Sequence, residues 1–182
     1  MVSSPATPRP ARDIARDLTE SGAVRFGTFT LASGQTSDVY VDVKRAWTSP
    51  ARLARLAEAL SAYCEGVDAL AGMELGAVPL VVATALETEL PYVVIRKAAK
   101  AHGTQQRIEG ELAPAARVAL IEDVTTTGGS VAESVEVLRA AGAHVVRVVT
   151  VVDREQGASE RLVQLGVPLE ALTTLSELRG LR

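Results

Sequence analysis

No part of this chain restricts its fold more than the run Val118-Ala-Leu-Ile121-Glu122-Asp123-Val124-Thr125-Thr126-Thr127-Gly128-Gly129-Ser130. Four apolar residues, Val118 to Ile121, predict a buried parallel strand. They give way abruptly to two carboxylates, three threonines and Gly-Gly-Ser. Val131, Val135, Val137 and Leu138 then predict an apolar helix face. A strand, a short polar loop and a helix N-terminus form the place where an open α/β sheet receives a phosphate. Glycines let the backbone come close, hydroxyls and N–H groups donate to oxygens, and the helix dipole favours negative charge. Glu122 and Asp123 would repel a bare phosphate, so the ligand must also bring hydroxyl donors or a cation. A ribose 5-phosphate with free 2- and 3-hydroxyls satisfies both halves. The plainer alternative, a strand-to-helix turn with a Ser/Thr cap, needs neither paired acids nor three threonines.

The remaining sequence agrees with a helix-covered, mostly parallel sheet. The 182 residues suffice for one domain with a sizeable core. Ala, Val and Leu dominate and aromatic residues make up only 3 %, which suits such a sheet better than a β-sandwich. A net charge of −3 argues against a broad nucleic-acid surface. The single cysteine, Cys64, excludes an intrachain disulfide and fits a reducing cytoplasm; its place at the end of an apolar helix makes it a packed residue. Met1 to Arg12, rich in Ser, Pro and Ala, read as a loose tail of about ten residues without a signal-peptide core. No apolar run reaches membrane-spanning length. No repeat, linker, fused decarboxylase or DNA-binding module is discernible.

Along the chain, Ala11 to Ala23 predicts a helix closed by Gly22. Val24 to Arg45 alternates apolar and polar residues about a Ser33-Gly34 turn and predicts a hairpin. Ser49-Pro50 marks the next helix start, with Ser49 as its cap, and Leu53, Leu56, Ala57 and Leu60 carry it to about Cys64. Trp47 is read as packing. Val67 to Ala71 predicts a strand, Gly72 to Pro79 a second ligand-facing turn, Pro79 to Leu90 a helix and Tyr92 to Ile95 a strand. Arg96 to Gly110 concentrates cations in an acidic protein at a strand end, where a solvated loop is the ordinary alternative. After a helix over Ala132–Ala141, His144 to Val152 predicts a strand that ends at Asp153-Arg154, and His144 at its start is read as structural. A helix over Ala158–Leu165, a short strand near Leu172 and a terminal helix follow.

Four of these stretches carry a resemblance. Glu122-Asp123 followed by Thr126-x-Gly128-x-Ser130 resembles the PRPP loop of type I phosphoribosyltransferases, although Thr125 stands where many relatives are aliphatic. Arg96-Lys97-x-x-Lys100-x-His102-Gly103 resembles the catalytic loop of orotate phosphoribosyltransferases residue for residue; the adenine enzymes typically follow the second lysine with Leu-Pro-Gly. Asp153-Arg154-x-x-Gly157 is similar to the family's base-recognition segment. The pattern Phe29-x-Leu31-x-Ser33-Gly34, Ser37, Tyr40, Asp42-x-Lys44 resembles the N-terminal hood. Ala32 in this hood, and Gly76 in the Gly72 to Pro79 turn that in the family lies against the pyrophosphate, each stand where some relatives place a lysine. The resemblance spans about residues 24–157.

This resemblance implies an open, mostly parallel sheet flanked by helices, with a small hood at about 24–45. It implies transfer of the 5-phosphoribosyl group from PRPP to orotate, giving orotidine 5-monophosphate and pyrophosphate in pyrimidine biosynthesis. Lys100, His102 and Asp123 would be catalytic. Arg96, Lys97, Lys100, His102 and the run Glu122, Asp123, Val124, Thr125, Thr126, Thr127, Gly128, Gly129 and Ser130 would bind PRPP. Thr126 and Arg154 would bind orotate. Mg2+ would be held by PRPP and reach Glu122 or Asp123 only through water. The family's loop serves the neighbouring subunit, which implies a cytoplasmic homodimer sharing Arg96, Lys100 and His102. The alternatives are a phosphoribosyltransferase for another base, which Arg154 and His102-Gly103 oppose, and a PRPP-sensing regulator, which the acidic balance opposes.

Overall fold

In chain order the elements are α1 (Ala11–Glu20), β1 (Val24–Thr30), β2 (Thr36–Val41), α2 (Lys44–Trp47), α3 (Pro50–Ser61), β3 (Ala69–Met73) and α4 (Val78–Thr88). There follow β4 (Tyr92–Ile95), β5 (Ile108–Glu109), β6 (Arg117–Thr125), α5 (Gly129–Ala140), β7 (His144–Asp153), α6 (Ala158–Gln164), β8 (Leu169–Thr174) and α7 (Leu175–Arg179). The computed structural model describes residues 11–30, 36–98 and 107–181. The tail over residues 1–10 and the Ser33-Gly34 turn lie outside them. Six strands form one sheet in the order β5-β4-β3-β6-β7-β8. Every neighbouring pair is parallel except β4 with β5. The expected hairpin is the separate antiparallel pair β1–β2.

Period-two alternation in the strands sorts their side chains onto two cores. Leu70, Ala119, Ile121, Val149 and Val151 face one side, where α1, α3, α4 and α7 pack through Leu18, Leu60, Leu80 and Leu178. Ala69, Ala71, Val118, Leu120 and Val148 face the other, against Val131, Val135 and Leu138 of α5 and Leu162 of α6. Burial on both faces explains the apolar run Val118 to Ile121 in β6 and the valine-rich sequence of β7. Each fully buried Leu or Val contributes about 1.5–3 kcal/mol relative to exposure. Val24, Val39 and Val43 join the first core and fix the hairpin to the body.

The order of strands places the functional edge. From β3 the chain moves outward to β4 and β5, then returns to the opposite side of β3 as β6. The ends of β3 and β6 therefore open a crevice where successive connections diverge.

Several boundaries differ from expectation. β6 does not stop at Ile121 but carries Glu122, Asp123, Val124 and Thr125 as strand residues, because β7 is long enough to pair with it as far as Thr125↔Asp153. Helix α5 starts at Gly129 instead of Ala132, with Gly128 at its cap in the left-handed region at φ 74°. Ser49 occupies the α3 cap in extended backbone but gives it no side-chain hydrogen bond; Pro50 in the first turn makes the start instead. The hairpin ends at Val41, and Lys44 belongs to the short α2, where Trp47 packs on the first core. Cys64 is buried with its Sγ 3.5 Å from the Leu60 carbonyl, and burial pushes its thiol up to about 11. His144 is exposed at its strand start, with backbone paired to Arg117.

β3 and α4 approach closely at Gly72. A Cβ there would run into the Val81 side chain and lie 3.0 Å from Ala77 Cβ and 3.3 Å from the Ile121 carbonyl oxygen. Overpacking of this kind costs about 1–3 kcal/mol. Gly72→Ala should therefore lower Tm by roughly 2–12 °C, read by calorimetry. An unchanged Tm would mean that α4 can move away freely.

Candidate functional site

A cleft of about 370 Å³ opens at the ends of β3 and β6. The turn after β3 supplies Glu74, Leu75 and Gly76, the end of β4 supplies Lys97, and α2 supplies Lys44. The continuous run from Glu122 to Val131 forms the opposite wall. Helix α5 begins inside this wall without a side-chain cap, and its first intrahelical bond runs from Ala132 N–H to the Gly128 carbonyl at 2.9 Å. The N–H groups of the first turn have no partner of their own in the helix and point toward its N-terminal end, an anion cradle. Gly128 is needed there twice over. Its positive φ suits glycine, and a Cβ would lie 2.9 Å from Ala158 Cα.

The acids sit beside this cradle. Glu122 is buried, 7 % exposed, whereas Asp123 is half-buried. Burial pushes the Glu122 carboxyl well above the ordinary range, to about 8. Its hydrogen bond to Asp123 and the negative charge of that neighbour add to the rise, while the Asp123 backbone N–H and the Lys97 charge oppose it. The N–H of Asp123 donates to Glu122 Oε1 at 3.0 Å, and the N–H of Val124 donates to Asp123 Oδ1 at 2.8 Å. Across the cleft, Lys44 Nζ lies 4.0 Å from Asp123 Oδ2 and 3.5 Å from Asp42 Oδ1. A Cβ on Gly76 would collide with the Asp123 carboxylate, so the turn is bare because the acid occupies that space.

Of the residues expected to act, Lys97, Glu122, Asp123, Val124, Thr125, Thr126, Thr127, Gly128, Gly129 and Ser130 are gathered around this one cleft. Thr125 contributes backbone to it, since its buried hydroxyl donates to Asp153 Oδ1 at 3.0 Å. Arg154 does not line the cleft. Its N–H donates to the Thr125 carbonyl at 3.0 Å, which tethers it to the end of β6, and its buried Nε lacks a hydrogen-bond partner. Arg96 also stands outside the cleft lining and turns its Nη1 to Glu109 Oε1 at 3.3 Å. Lys100 and His102 lie outside the described residues.

Sequence reading missed Lys44, Glu74 and Asp153. Lys44 was legible only as part of the hood pattern. Glu74 accepts the Lys97 N–H at 2.9 Å, a contact between segments far apart in the chain. Asp153 accepts from both Thr125 and the Glu155 N–H, at 3.0 Å each, and so shapes the turn that carries Arg154. Its signals were an acid ending a β-branched strand and its place in the Asp153-Arg154-x-x-Gly157 segment, neither of which shows this role.

Residues 44–163 match the phosphoribosyl transferase domain family. The chain is 48 % identical to an orotate phosphoribosyltransferase of Methanosarcina mazei, over 92 % of this chain and 90 % of that one. Its fold superimposes on the crystal structure of orotate phosphoribosyltransferase from Aeropyrum pernix with a TM-score of 0.82 at 34 % identity, covering 91 % of this chain and 95 % of that one. A UMP synthase of Leishmania donovani gives a TM-score of 0.80 at 36 % identity; the match covers 91 % of this chain and 36 % of that longer one.

The raised Glu122 carboxyl predicts a pH signature. The unfolded carboxyl titrates near 4.5 and the folded one near 8, so between these values the folded state holds a proton that the unfolded state has released. The stabilisation is complete below pH 4.5 and is lost as pH rises through 8. Glu122→Gln removes this dependence. The variant's Tm relative to wild type should climb between pH 5 and 9 in ligand-free protein followed by scanning fluorimetry. Parallel pH profiles would mean that Glu122 ionises in the folded protein as an ordinary carboxyl.

Proposed function

The chain belongs to the phosphoribosyl transferase domain family and, within it, to the orotate phosphoribosyltransferases, and from this and the cleft we infer that it transfers the 5-phosphoribosyl group from PRPP to orotate. The products are orotidine 5-monophosphate and pyrophosphate, in pyrimidine biosynthesis. One observation carries the reading: an acid pair and an uncapped helix N-terminus share a single cleft. Few ligands want both. A phosphorylated sugar with free hydroxyls does.

The α5 N-terminus with Thr126, Thr127 and Ser130 receives the 5-phosphate. Glu122 and Asp123 accept hydrogen bonds from the ribose hydroxyls. Breaking the bond from C1 to pyrophosphate leaves positive charge on the ring, which these carboxylates face, and negative charge on the leaving oxygens. A sugar hydroxyl donating to Glu122 favours its ionised form, so binding shifts the proton it holds when free. Lys97, Lys100 and His102 offset the charge of the leaving group, and His102 suits proton delivery because imidazole titrates near neutrality. Arg154 grips the orotate carboxylate through a two-pronged contact, with Thr126 as second base contact.

Magnesium belongs to the proposal as an ion held by PRPP, with water between it and Glu122 or Asp123. Among the described residues, no three His, Cys, Asp or Glu side chains come together as a protein chelate. When bound, the ion supplies charge neutralisation to the diphosphate. The same reading makes the enzyme a cytoplasmic homodimer in which Arg96, Lys100 and His102 serve the partner's cleft. In support, there is a single, buried cysteine, and no helix among the described residues is long and apolar enough to cross a membrane.

Loss of orotate absorbance in the presence of PRPP and magnesium tests the activity directly. In that assay Arg154→Ala should raise the KM for orotate by roughly ten- to a hundredfold, the worth of a charge-assisted contact, with PRPP binding nearly intact. An unaltered orotate KM would remove Arg154 from the base site. Sharing of the loop is tested by mixing Lys100→Ala chains with Asp123→Asn chains after native mass spectrometry shows subunit exchange. About half the dimers are then mixed, each with one complete site, so about a quarter of wild-type activity should return. Activity no higher than that of the parent variants would mean that the loop works within its own subunit.

A further inference from the structure

We propose that Arg107 is a positioning residue of the diphosphate side of the cleft, acting through Lys97. The inference rests on the PRPP reading above. It starts from an unusual concentration of bonds on one guanidinium. Arg107 Nε donates to the Arg96 carbonyl at 3.0 Å, and Nη2 donates to the carbonyls of Arg96 and Lys97 at 2.9 and 3.0 Å. Nη1 donates to Glu133 Oε1 at 2.6 Å. The Arg96 N–H returns a bond to the Arg107 carbonyl at 2.8 Å.

Lys97 is thereby held by both of its own peptide groups. Its N–H is bound by Glu74 at 2.9 Å and its carbonyl by Arg107 at 3.0 Å. Glu74 comes from the turn after β3, and Glu133 from the first turns of α5, the helix whose N-terminus forms the anion cradle. Arg107 thus ties the strand end that carries Lys97 to the helix that receives the phosphate. Among the described residues lining the cleft, the cations are Lys97 and Lys44. Lys44 is occupied with Asp42 and Asp123. Lys97 is therefore the cation that needs an external support, and a flexible ammonium on a loose peptide would be a poor partner for a diphosphate. A planar fork reaching two adjacent carbonyls and a carboxylate is a task for arginine; lysine presents a single point charge.

The test is a double-mutant cycle with two readouts, initial rates with orotate and PRPP, and PRPP affinity by calorimetry. Arg107→Gln should raise the KM and Kd for PRPP on the order of tenfold, with the orotate KM within about twofold. Lys97→Ala should do the same, and the double variant should be no worse than the poorer single one, because both remove one interaction. Arg107→Lys should recover part of the affinity through Glu133 alone. Glu133→Gln, an exposed change that leaves folding intact, should raise the PRPP Kd by about two- to threefold. Full additivity of Arg107→Gln with Lys97→Ala would overturn the proposal, as would a lowered Tm with PRPP Kd unchanged. If wild-type protein fails to turn over orotate, the reaction assignment falls, while the calorimetric PRPP cycle still judges Arg107.

Discussion

Two carboxylates side by side at the buried end of a strand repel one another and forfeit hydration, and the cleft is arranged around that conflict. The protein eases it in three ways. Glu122, the more buried acid, holds its proton up to about pH 8. Asp123 faces Lys44 across the cleft. The turn after β3 is stripped to glycine where a side chain would strike Asp123. These adjustments are local, but they rely on β6 and β7 remaining paired beyond the apolar core, which fixes the backbone that carries both acids.

The same extension of pairing gives the base-recognition turn its place. Thr125 and Asp153 are partners in the β6–β7 register and share a hydrogen bond. Asp153 then accepts the Glu155 N–H, so the peptide carrying Arg154 is fixed from both ends. Phosphate cradle, acid pair and arginine turn are thus three products of one parallel strand pair. A disturbance in β7 far from any ligand would reach all three.

Much of this was readable from residue order because the decisive signals are local. The runs Val67 to Ala71 and Val118 to Ile121 marked the central strands, and Gly128-Gly129-Ser130 marked the helix start to within three residues. What escaped was set by partners distant in sequence. No local pattern shows that β6 continues through its acids, since that depends on the length of β7. Glu74 with Lys97, and Arg107 with Glu133, are pairs whose meaning exists only after the sheet has brought them together. The antiparallel β5 escaped as well, being two residues long inside a run dominated by charge.

That short strand bears on how copies of the chain can meet. An open sheet edge with a row of unused N–H and carbonyl groups invites a second chain to extend it. Among the described residues, the border beside β4 is covered by Ile108 and Glu109, which run against the direction of the other strands, with Gly110 following at φ 107°. Those two residues by themselves offer little backbone for another molecule to continue the sheet. A border covered in this way favours contacts between side-chain surfaces, selected by shape and charge, over the indiscriminate stickiness of exposed β-structure.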